Sequence, residues 1–192
     1  MMERSTKFLS LTGWAGIMAG VYALTGAYIA NSLIFFNTDA VIHEPIDLLV
    51  MSGDVLKLFL LAIVILVLAV GTAIYLSHRK SKKNGKRIWN SAARRLVMHM
   101  AIPLGTGGVF ILFLVSYGLH GLIIPSTLIF YGLTLLNASK FALEEFKSLG
   151  IIEIVLGLTA CYFVECSLIF WAVGFGIMHI IYGIYMHLRY EK

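Results

Sequence analysis

Two ionisable residues stand inside stretches that are otherwise apolar: Glu153 in LGIIEIVLGL and His179 in FWAVGFGIMHIIYG. A carboxyl and an imidazole side by side in low dielectric can share a charge or a proton, which lowers the cost of burying either. Each lies on a helical stripe of small residues. At about 100° per residue, Glu153 aligns with Gly150, Gly157 and Ala160, and His179 with Ala172, Gly176 and Gly183. Helices in lipid approach one another through small residues, so both groups are expected to face protein. Glu153 lies 13 residues before Cys166 and His179 lies 13 after it. A hairpin turning at Cys166 brings the two level, roughly 20 Å below the turn at ~1.5 Å per residue. Such a pair supports two roles: a hydrogen bond that glues the hairpin, or a site for a ligand, metal or proton. A helix starting at Leu149 would leave Glu153 close to the polar surface, whereas His179 has no such exit. Tyr182, one turn beyond His179, joins the candidate set.

A second candidate element is Pro103 followed by Gly105, Thr106, Gly107 and Gly108. Proline removes a helix donor and glycine weakens the helix beyond it. Interrupted spans expose backbone groups at substrate sites in transporters, so these residues are expected to add contacts beside Glu153 and His179. A tight helix crossing or a modest kink is the plainer consequence of the same residues. Nearer the polar surface, His99, Asn137 and Lys140 can hold a phosphate or carboxylate head group with Arg94 and Arg95 nearby; the same residues can also simply snorkel to the interface. The stretch SKFALEEFKSLG (139–150) reads as an amphipathic interfacial segment with Glu144 and Glu145 in water.

Other groups carry less. Asp39, Glu44, Asp47 and Asp54 offer oxygen ligands for a divalent cation, with His43 beside them, but with Pro45 among them and irregular spacing they read as a solvated acidic loop. Cys161 and Cys166 lack redox-active C-x-x-C spacing and are read as structural or free. His99 and His179 as joint haem ligands would differ in depth by roughly 10 Å, which argues against a shared iron. His78, His120 and His187 fall at span ends. No phosphate loop, G-x-S-x-G or H-E-x-x-H occurs, and the identity of any metal or cofactor stays open.

The elements that must position these residues follow from composition. Of 192 residues, 59% are apolar and 13% charged, with mean hydropathy +0.89, which excludes a soluble domain and a disordered chain. Two cysteines exclude a disulfide scaffold. The expected fold is all-α, a single polytopic membrane domain of six helices at about 8–36, 55–77, 96–117, 121–137, 149–165 and 167–188. The first run is too long for a signal-peptide core and is kept as a span. The second connection holds Arg79, Lys80, Lys82, Lys83, Lys86, Arg87, Arg94 and Arg95 without an acid, whereas the first is acidic. The positive-inside rule then puts both termini in the cytoplasm. The basic run HRKSKKNGKR has no aromatic before Trp89, so lipid rather than nucleic acid is its expected partner.

The segments LIFYGLTLLNASKF, LGIIEIVLGL, FWAVGFGIMHIIYG and TGWAGIMAGVYALTGAYIA resemble a family of small six-span bacterial membrane proteins of uncharacterised activity. The resemblance implies a fold and a bacterial inner membrane, and no catalytic residue. Gly16-Ile17-Met18 with Tyr22 also echoes Gly176-Ile177-Met178 with Tyr182, too short a match to build on.

Three functions are compatible with these residues. The first is binding or transport of a small solute, ion or proton between spans 3, 5 and 6, with Glu153 and His179 as polar ligands. The second is a packing subunit of a membrane complex, oligomerising through its Gly and Ala seams. The third is a membrane enzyme acting on lipid head groups through His99, Asn137 and Lys140. Nothing in the sequence marks a catalytic residue, so binding is favoured over catalysis.

Overall fold

A computed structural model describes residues 13–35, 53–83, 91–142 and 144–190. Most of the acidic loop, the basic residues Lys86 and Arg87, and the chain ends lie outside the described residues. The elements are α1 (Gly13–Phe35), α2 (Gly53–Lys83), α3 (Ser91–Ser116), α4 (Ile123–Ala138), α5 (Glu145–Tyr162), α6 (Ser167–Trp171) and α7 (His179–Tyr190). A π-helical segment, Ala172–Met178, joins α6 to α7 without a break. No strand occurs among the described residues. Five helical stretches are long and apolar enough to cross a membrane: Gly13–Ser32, Leu56–Lys83, Ala93–Ser116, His120–Ala138 and Val164–Tyr190. The remaining helix, α5, has 18 residues and carries Glu145, Lys147 and Glu153.

The turns follow from local chemistry. Gly118 takes φ 71°, a left-handed conformation that ends α3 where a side chain would be strained. Pro125 sits in the first turn of α4, where a missing N–H costs nothing. Pro103, by contrast, does not interrupt α3, which stays one helix from Ser91 to Ser116. The break in regular helix comes instead at Ala172–Met178.

Packing is built on glycine. α4 and α5 run antiparallel in close contact, and Gly132 and Gly150 let the two backbones meet. A Cβ on Gly132 would lie 2.6 Å from the Gly150 carbonyl oxygen, and one on Gly150 2.7 Å from that of Gly132. α1 packs on α7 the same way, since a Cβ on Gly183 would lie 2.6 Å from the Ile17 nitrogen and 2.7 Å from the Gly13 oxygen. The seams read from the sequence are thus filled within the chain, whereas Gly71, Gly105 and Gly108 border open space. α3 lies on the outer face of α4, and α2 on α1, where Tyr22 and Thr72 hydroxyls meet at 3.3 Å. Leu60, Leu66, Val67 and Ile74 of α2 are exposed, as suits a helix facing hydrocarbon.

One end of the bundle is basic, carrying Lys80, Lys82, Lys83, Arg94, Arg95, Lys140 and Arg189. It is sealed between α3 and the α4–α5 turn by Ala93, Leu96, Ala138 and Ala142. Here α5 begins at Glu145, four residues before the expected Leu149. Glu145 is buried rather than in water, because Tyr190 donates a hydrogen bond to its Oε1 at 2.7 Å and Arg189 stands 3.3 Å from the same oxygen. Glu144 is exposed, as expected.

Candidate functional site

The α4–α5 hairpin and the α6–π–α7 run bring three polar side chains together at mid-length. Tyr131 is the ninth of 16 residues in α4. Glu153 is the ninth of 18 in α5. His179 opens α7, with twelve residues of helix before it from Ser167 and eleven after it. The Tyr131 hydroxyl lies 2.8 Å from His179 Nε2. His179 Nδ1 lies 3.0 Å from the Gly174 carbonyl oxygen and 3.6 Å from Glu153 Oε1.

The π turn explains the first of these Nδ1 contacts. Its wider winding pairs residues five apart instead of four, and Gly174 is five residues before His179. A carbonyl oxygen only accepts, so the proton of the neutral imidazole is on Nδ1. Nε2 is then the acceptor, and Tyr131 donates to it. The ring is fixed by one bond on each nitrogen. Gly174 matters a second time, because a Cβ there would collide with Glu153 Oε2 and lie 2.8 Å from Leu128 Cδ2. Only glycine leaves the carboxyl its place.

Glu153 has no exposed surface. Both of its carboxyl oxygens are buried without a hydrogen-bond partner among the described residues. An ionised carboxylate in that condition costs several kcal/mol or more, so the arrangement is satisfied by a proton on Glu153 or by a cation beside it. Among the described residues, His179 stands in salt-bridge range of it. Phe175 lies parallel to the imidazole with centroids 5.8 Å apart, and Trp171 packs on Phe175 at 5.1 Å. These rings form an aromatic ladder running from the site away from the basic end.

On the basic side, the stripe of α5 that carries Glu153 continues through Leu149 to Glu145, all buried. Tyr182 turns to Ser148, its hydroxyl donating to Oγ at 2.8 Å. This pair lines a groove of about 520 Å³ with Glu145, Tyr185, Arg189 and Tyr190. Arg189 bonds the Tyr185 hydroxyl and lies over the Tyr185 and Tyr190 rings.

Glu153 and His179 are therefore brought together, with Tyr182 one turn away. Gly105, Thr106, Gly107 and Gly108 are not beside them. They lie on α3, which packs on α4; Gly107 meets the Phe130 side chain, and a Cβ on Gly105 or Gly108 would meet no described residue of another element within 4 Å. Thr106 instead lines a separate groove of about 480 Å³ with Asn137, Lys140, Pro103, Phe130 and Leu133. His99 stacks on Phe141 with centroids 4.6 Å apart, at the basic end of that groove. Cys161 and Cys166 are both free thiols. No metal-ligating group of three or more His, Cys, Asp or Glu side chains occurs among the described residues.

Tyr131 was missed by the sequence reading, although a signal was present. Eleven residues separate it from Ala142, and eleven separate Ala142 from Glu153, so the depth count that pairs Glu153 with His179 also puts Tyr131 level with them. The π segment had a weaker signal, two glycines flanking Phe175. No family model, curated protein or solved structure matches this chain.

Proposed function

We propose that the protein binds and relays protons through Glu153, His179 and Tyr131 at the middle of a membrane bundle. The carrying observation is the fully buried Glu153, whose carboxyl lacks any hydrogen-bond partner among the described residues and faces His179 at 3.6 Å. Both grooves lie elsewhere, which favours a proton over a solute among the small species such a site can take. With the proton on Glu153 the pair is neutral. When Glu153 releases its proton and the imidazole takes one at Nε2, from the Tyr131 side with that hydroxyl turning from donor to acceptor, an ion pair stands across the same gap. Loss of the proton to water leaves a carboxylate that must rebind one, because a lone buried charge is costly.

In this reading α5 is the sixth span, since 18 residues cover roughly 27 Å, close to the hydrocarbon thickness. The start of α1 and the end of α7 then fall on the basic side, which the positive-inside rule makes cytoplasmic, in a bacterial inner membrane. The test is infrared spectroscopy of the protein in lipid vesicles. A protonated carboxylic acid has a C=O band that ionisation removes. A band that comes and goes reversibly with pH and is missing in Glu153→Gln supports the reading. A spectrum with no such titrating band, in a folded protein, overturns it.

A further inference from the structure

We infer that the groove between α3 and α4 is a binding site for an anionic phospholipid, its phosphate at Lys140 and one acyl chain laid along the helices toward Thr106. The groove has a polar end and an apolar length. Lys140 is exposed just past the end of α4, with Asn137 a turn deeper. From Lys140 to Phe130 is ten residues, roughly 15 Å of helix rise, walled by Leu136, Leu133 and Pro103.

The charge on the two helices that wall the groove is one-sided. Arg94 and Arg95 are exposed in the first turn of α3, and neither α3 nor α4 contains an acidic residue. An anion is what this end complements. Pro103 supplies a further group. It has no N–H to give the carbonyl of His99, one turn back, so that oxygen is left without its helical donor and can accept from a head-group hydroxyl or ammonium. Gly105 and Gly108 border open space on other faces of α3 and do not line this groove.

The length of the apolar wall argues for a lipid rather than a free anion, which Lys140 and its neighbours would hold without any need for the groove below. The inference does not depend on the proton site.

The test uses the purified full chain in mild detergent, with phosphatidylglycerol, phosphatidylcholine and inorganic phosphate as probes and melting temperature as readout. A ligand that binds only the folded state raises melting in proportion to its saturation. Phosphatidylglycerol is expected to raise the wild-type melting temperature, phosphatidylcholine far less, and phosphate not at all. Lys140→Gln should weaken the lipid response about tenfold, as expected for loss of one charge-assisted contact. Thr106→Trp, which fills the deep end, should remove the response, whereas Val67→Trp on the exposed face of α2 should keep it. Equal responses to the two lipids would overturn the inference, as would a phosphate response matching that of phosphatidylglycerol. So would a lipid response that survives both groove variants, or a dimer in which a second copy shields the groove.

Discussion

His179 Nδ1 lies 3.6 Å from Glu153 Oε1 but is hydrogen-bonded, at 3.0 Å, to the carbonyl of Gly174. The imidazole is thus held beside the carboxyl without being bonded to it. A direct bond would tie Nδ1–H to the carboxyl; a ring pinned by Tyr131 and Gly174 leaves Glu153 to hold or lose its own proton.

If the ring is pinned on both nitrogens, removing it strands two partners. His179→Ala is expected to destabilise the protein by about 1–3 kcal/mol, because the Gly174 carbonyl and the Tyr131 hydroxyl lose their bonds. His179→Gln, which can still donate and accept, should recover part of that. Thermal unfolding in detergent with matched lipid reads both. Equal melting of wild type and His179→Ala would show that the two bonds contribute nothing.

Tyr131→Phe removes one hydroxyl and keeps the ring against Phe175, whose centroid is 4.8 Å away. The expected cost is about 0.5–1.5 kcal/mol, the usual net value of one hydrogen bond. In the infrared experiment the carboxyl band should persist but titrate over a shifted pH range, since Nε2 has lost its donor. An unchanged titration would remove Tyr131 from the relay.

Glycines divide into two groups with opposite expected effects. Gly132→Ala forces the α4 and α5 backbones apart, and Gly174→Ala strikes both Leu128 and the Glu153 carboxyl. Each should cost about 1–3 kcal/mol. Gly105→Ala and Gly108→Ala meet nothing and should be neutral or stabilising by up to about 1 kcal/mol, through helix propensity. Melting temperatures of the four variants in one detergent check the order.

Leu149 is the apolar residue between Glu153 and Glu145 on one face of α5. Replacing it with serine should speed the exchange of the Glu153 proton with water, followed as the hydrogen-to-deuterium shift of the carboxyl band. Thr159→Ser, on the other half of α5, should not. If the two variants exchange at the same rate, the barrier at the basic end is not Leu149.

Much of the candidate site was legible in the sequence because depth along a helix is a matter of counting. Equal distances from Cys166 paired Glu153 with His179, and the pair is real. Glu153 stands two turns inside α5 rather than near its start, because the helix begins at Glu145, whose buried carboxyl is held by Tyr190 and Arg189 from the far end of the chain. No local signal announces a partner 45 residues away. The interruption was sought at Pro103, where local chemistry is strongest. In α3 one lost hydrogen bond does not break a helix of 26 residues. At Ala172–Met178 the cause is tertiary, since close approach to α1 at Gly176 and α5 at Gly174 goes together with the bond from His179.

The small-residue face of α1 also sets an order of assembly. Gly13, Gly16 and Gly20 have their partners on the π segment and α7, the last part of the described chain to leave the ribosome. α3, α4 and α5 can pair with their immediate neighbours during synthesis, whereas α1, with α2 leaning on it, must wait with its glycine face uncovered. Closure of the bundle is therefore a late event, and during that wait an insertion factor or chaperone has a surface to hold.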